Sequence, residues 1–142
     1  MKIPIASDHA GFEAKTKIIS KLQEMGYKVE DFGPFTDERV DYPDYAVKVS
    51  EAVNNGHQPI GILICGSGQG MCMTANKFEN VRAALVYDAE VASLTRQHND
   101  ANIICLPSRF VDYALAQDMA QVFLETDFEG GRHQKRVDKI SC

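Results

Sequence analysis

The chain has 142 residues, 44% hydrophobic and 25% charged, which suits one folded domain around one core without disulfide or metal staples. No apolar run approaches the ~20 residues of a membrane helix, and the opening Met1-Lys2-Ile3-Pro4-Ile5 does not read as a signal peptide. A formal charge of −5 speaks against a nucleic-acid partner, which selects for excess cations.

Lys2–Ser7 reads as a first strand, although Pro4 inside it cannot donate to a ladder. Ile18, Leu22 and Met25 then share a helix face, and Gly26 is a natural residue to follow its end. Residues 29–32 form a second strand and 33–43 a loop rich in acids. A helix over 44–54 carries Tyr45, Val49 and Val53 at spacings of four. The nearly all-apolar 60–65 is a central parallel strand buried on both faces. A glycine-rich segment leads into a helix with Met71, Ala75 and Phe78 on one side. Residues 83–86 are a fourth strand, and Val91, Leu94, Thr95 and His98 mark the inward face of a fourth helix. A fifth strand over 103–106 precedes a helix lined by Leu115, Met119 and Val122, and a short basic helix with Arg132 and Arg136 ends the chain.

Five alternations of strand and helix imply an α/β fold, a parallel sheet covered by helices on both faces, in which ligands bind beyond the carboxyl ends of the strands. The polar residues at those ends are Asp8 and His9, Cys65 to Gly70, and the Pro107-Ser108-Arg109 turn. Four cysteines, Cys65, Cys72, Cys105 and Cys142, form no CxxC pair and read as reduced thiols of a cytosolic protein.

In Cys65-Gly66-Ser67-Gly68-Gln69-Gly70 the alternating glycines let the backbone close around a ligand and offer N–H groups to an oxyanion. A cysteine at such a junction can be a thiolate near neutral pH; the plainer reading is a buried strand end and a tight turn. The spacing is neither G-x-G-x-x-G nor a P-loop, while Asp88, 22 residues beyond Gly66, stands where a dinucleotide fold puts its ribose-binding acid. Asp8 is either a helix N-cap or a ligand contact. His98 is either a helix C-terminal cap or an acid/base group working near neutral pH. Arg132 and Arg136, four apart, are either a solvated face or a phosphate grip, with Arg109 a third cation.

Taken in order, Ser7-Asp8-His9-Ala10-Gly11-Phe12, Asp41-Tyr42-Pro43, the Cys65 to Gly70 run, Ala75-Asn76-Lys77, Gln97-His98-Asn99-Asp100-Ala101-Asn102 and Glu129-Gly130-Gly131-Arg132-His133 resemble the ribose-5-phosphate isomerase B family, which also includes galactose-6-phosphate isomerase subunits. The resemblance covers nearly the whole chain. It implies a Rossmann-like three-layer α/β/α sandwich with a five-stranded parallel sheet and an extra C-terminal helix. It also implies a cytoplasmic homodimer or homotetramer with active sites at the subunit interface.

The implied activity is aldose–ketose isomerisation of a small sugar phosphate, with no cofactor and no metal. Ribose 5-phosphate and ribulose 5-phosphate are the leading pair. A six-carbon phosphate of allose or galactose, or a non-catalytic sugar-phosphate sensor, are the alternatives. Carried over by position, Cys65 matches the proton-shuttling base and His98 the residue assisting ring opening. Asp8, His9, Gly66, Ser67, Gly68, Gln69, Gly70, Asn99, Arg109, Arg132 and Arg136 match substrate-binding positions, and Tyr42 is a further candidate. Ser67, where many relatives with the cysteine have threonine, keeps a hydroxyl able to pass protons between sugar oxygens. Met71 stands where another branch has a glutamate base.

Overall fold

The computed structural model describes residues 1–141; Cys142 lies outside them. Strands β1 (Lys2–Ser7), β2 (Lys28–Asp31), β3 (Gly61–Cys65), β4 (Ala83–Leu85) and β5 (Ile103–Pro107) form one parallel sheet in the order β2-β1-β3-β5-β4. The helices are α1 (Phe12–Glu24), α2 (Tyr42–Asn54), α3 (Gln69–Ala75), α4 (Ala89–Asn99), α5 (Tyr113–Glu125) and α6 (Arg132–Asp138). The expected three-layer α/β arrangement and the extra C-terminal helix are both present.

Period-two alternation in the central strands builds the layers. Ile62, Ile64, Ile104 and Leu106 face one core with Ile18 and Leu22 of α1, Ala92 of α4 and Phe123 of α5. Leu63, Cys65, Ile103 and Cys105 face the other, with Val49 of α2 and Met71 of α3. Pro4 is tolerated inside a non-edge strand because pairing with β3 starts only at Ile5↔Ile62, above the missing N–H.

Three expectations need correction. Val91 and Leu94 do not face inward: they are 38% and 36% exposed, while Ala92 and Thr95 are buried. The face of α5 likewise centres on Ala116, Met119, Ala120 and Phe123. In both helices small side chains are buried on the inward face, whereas the sequence pattern favours the bulkiest apolar residues. Finally, α2 starts at Tyr42, with Pro43 in the first turn, where its absent N–H costs nothing.

Candidate active site

β3 ends on Cys65, only 4% exposed. Gly68 takes a left-handed conformation (φ +75°) that turns the chain directly into α3. Burial pushes the Cys65 thiol up, and the Asp8 carboxylate adds to this; the backbone amides of Met71, Gly68 and Gly70 favour the charged sulfur and pull it down. Desolvation outweighs the amides. Of the two readings of this junction, burial of the sulfur favours the protonated thiol over a thiolate at rest.

The turn between β1 and α1 is pressed against this strand end. A side chain on Gly11 would place its Cβ 2.5 Å from the carbonyl oxygen of Ile64. Asp8 accepts the Gly11 N–H at 2.9 Å and so holds the turn rather than capping α1, whose N-cap is Gly11 itself. Ser108 binds two other chain segments: its N–H donates to the Cys65 carbonyl at 2.9 Å and its Oγ donates to the Ala10 carbonyl at 3.0 Å. Arg109 donates its N–H to the Gly66 carbonyl, and its guanidinium lies over Gly66. The Tyr42 ring packs on Gly70 so closely that a Cβ there would stand 2.5 Å from it. Ser67 Oγ accepts the Gln69 N–H at 3.3 Å, and His9 Nδ1 accepts the Val40 N–H at 3.3 Å.

A second cluster forms where α4 ends against α6. His98, Asn99, Arg132, His133 and Arg136 line a cleft of about 430 Å³. The rings of His98 and His133 stack with centroids 4.4 Å apart and planes 18° from parallel. His98 is thus half-buried by α6, not by the Val91–Leu94 face. His133, 6% exposed, has among the described residues no hydrogen-bond partner for Nε2, which lies 3.6 Å from Glu129. Burial lowers its pKa, with His98 and Arg132 adding to the shift and Glu129 opposing it. Sequence reading did not single out His133; its spacing of four from Glu129 was the available signal.

Among the described residues, His98, Glu129 and His133 alone group three metal-ligand atoms within 4.8 Å. They suit a resident dication poorly. Nearly parallel stacked rings keep their nitrogen lone pairs in separate planes that do not meet at a common ion, and Arg132 and Arg136 line the same cleft. Cys65, Cys72 and Cys105 are free thiols. Cys72, half-buried, points at the Ala83 carbonyl, and Asp88 caps α4 through the N–H groups of Glu90 and Val91.

The structure does not bring the two clusters together. α4 runs antiparallel to the strands, so His98 lies near the amino end of β5, where the Asn102 carbonyl accepts from Gly61 at the start of β3. Cys65 lies at the opposite end of the same ladder, paired with Pro107. Four residue steps of strand alone separate these ends by about 13 Å. Asp8, His9, Tyr42, Cys65, residues 66–70 and Arg109 form one half; His98, Asn99, Arg132 and Arg136 form the other. No helix is long and apolar enough to cross a membrane among the described residues.

A family model described as Ribose/Galactose Isomerase matches residues 3–140. A protein of Escherichia coli (strain K12) named ribose-5-phosphate isomerase B is 44% identical over 141 residues, covering 99% of this chain and 95% of its own length. The crystal structure of ribose-5-phosphate isomerase B from Mycoplasma genitalium with bound ribulose-5-phosphate is 48% identical, with a TM-score of 0.93 over 98% of this chain and 93% of that one. The ribose 5-phosphate isomerase structure from Thermotoga maritima is 47% identical, with a TM-score of 0.95 over 99% and 97%.

Proposed function

The chain belongs to the ribose/galactose isomerase family, and on that premise we propose that it interconverts ribose 5-phosphate and ribulose 5-phosphate in the cytoplasm, as a single-domain, cofactor-free homo-oligomer. The observation that carries the reading is the buried sulfur of Cys65 at the end of β3, where the left-handed Gly68 turns the chain into the amino end of α3. A base beside preorganised N–H donors is what abstraction of a proton next to a carbonyl requires.

In this mechanism the Cys65 thiol first loses its proton to solvent. The thiolate takes the proton from C2 of the open-chain aldose, the electron pair moves onto the carbonyl oxygen, and the amides of residues 66–70 hold the enediolate. Ser67 relays a proton between the two oxygens, and the Cys65 thiol returns its proton to C1. His98 opens the furanose by moving a proton between the anomeric hydroxyl and the ring oxygen. Arg132, Arg136 and His9 hold the phosphate, and binding energy spent there positions the reacting carbons. Because the strand ladder separates His98 from Cys65 within one chain, His98, Asn99, Arg132 and Arg136 come from a second copy.

A coupled isomerase assay over five- and six-carbon sugar phosphates tests this. Turnover of ribose 5-phosphate that disappears in Cys65→Ala, with substrate binding retained, supports the reading. A preference for allose or galactose 6-phosphate moves the activity to six-carbon substrates, and binding without turnover on any of them leaves a sensor.

A further inference from the structure

Lysine is among the side chains least often buried, yet Lys15 is 1% exposed. Taking an ammonium out of water costs several kcal/mol unless it is paired and hydrogen-bonded, and Lys15 is both. Its Nζ lies 2.7 Å from Asp31 Oδ1 and 2.6 Å from the Pro34 carbonyl, and 5.5 Å from the centroids of the Phe12 and Phe35 rings. The same Asp31 oxygen accepts the Gly33 N–H at 2.8 Å, and the Gly33 carbonyl accepts from Ser7 at the end of β1. The near end of the loop after β2 is therefore fastened to α1 through a half-buried ion pair and to β1 through the Ser7–Gly33 backbone bond. Its far end runs into α2 at Tyr42, and the Val40 N–H just before it donates to His9 Nδ1.

That bond has a chemical consequence. A backbone N–H can only donate, so Nδ1 must be the unprotonated acceptor, and a neutral imidazole then carries its proton on Nε2. We infer that Lys15 and Asp31 are positioning residues for His9: by pinning the 33–40 loop they hold the Val40 amide on Nδ1 and leave Nε2–H as the donor offered to a substrate phosphate. The phosphate assignment rests on the proposed function; the tautomer does not.

Nitrogen-15 NMR of the native full-length protein, above the pH range in which histidine titrates, reads the tautomer directly. His9 is expected to be unprotonated at Nδ1 and protonated at Nε2. Val40→Pro deletes the N–H at an exposed loop and spares the core, whereas Val40→Ala keeps it. With Val40→Pro, His9 should populate both tautomers. KM for the sugar phosphate should rise about three- to tenfold, the worth of one hydrogen bond, with kcat within about twofold; Val40→Ala should match the native protein. Lys15→Met, if it folds, should reproduce Val40→Pro. A native His9 protonated at Nδ1, a Val40→Pro variant with native tautomer and native KM, or a Lys15→Met or Asp31→Asn variant that keeps the native tautomer and native KM, overturns the inference. Absence of turnover in the native protein would instead overturn the proposed function and leave the tautomer result standing.

Discussion

The backbone amide of Met71, in the first turn of the helix that follows the strand, favours a charged sulfur on Cys65. Together with the amides of Gly68 and Gly70 it lowers the cost of a thiolate, yet burial and the Asp8 carboxylate leave the pKa above that of an ordinary cysteine. The sign for activity follows. Below that pKa the thiolate fraction grows about tenfold per pH unit, and kcat/KM reports the free enzyme's groups. Log kcat/KM should therefore climb with a slope of about +1 through neutral pH and keep rising into the range where free cysteine titrates. A profile that levels off below about pH 8 would show a thiol already ionised at rest and contradict the burial argument.

Gly11 faces the Ile64 carbonyl with no room for a methyl group. The obstructing atom is backbone of the central strand, so neither side can move aside without disturbing the sheet. Gly11→Ala should destabilise the fold by roughly 1–3 kcal/mol, seen as a lower midpoint in urea with an unchanged slope. It should also weaken catalysis, because the same contact sets Asp8 against Cys65. A native urea midpoint would show that the turn relaxes freely.

Much of this architecture was legible because β-strand period and helix period are fixed by backbone geometry. The run 60–65 could only be a buried strand, and five alternations could only wrap a parallel sheet. The faces of α4 and α5 were misread because the pattern weights large apolar residues, whereas Ala92, Ala116 and Ala120 fill the inward face. The amides under Cys65 were foreseen from alternating glycines, but the sign of its pKa shift was not, since desolvation depends on what the second core packs around the sulfur. His133 escaped notice because its burial comes from α6 folding back on α4, a contact between residues 98 and 133 that no local pattern carries.

Arg132 and Arg136 line the His98 cleft, and both are exposed, so neither is needed to complete the core. If they hold the distal phosphate, removing one takes away a charge-assisted contact made equally in ground and transition states. Arg132→Ala should raise KM for sugar phosphates by about tenfold or more, corresponding to roughly 1.5–3 kcal/mol, with a much smaller change in kcat. The thermal midpoint should stay near the native value. An unchanged KM in steady-state kinetics would remove the arginine from phosphate binding.

The separation of Cys65 from His98 by the length of the β3–β5 ladder yields a quantitative test. If each active site draws Cys65 from one copy and His98 from another, Cys65→Ala and His98→Ala variants are each impaired at every site. Mixed by unfolding and refolding together, half of the dimers contain one of each variant. Each mixed dimer has one site with both native side chains and one with neither. The mixture should thus recover about a quarter of native activity per chain, the value set by random pairing in a two-fold assembly. Were every chain to house a complete site of its own, no mixture could exceed the average of the two variants. The comparison needs only the isomerase assay before and after joint refolding, with each variant refolded alone as the control.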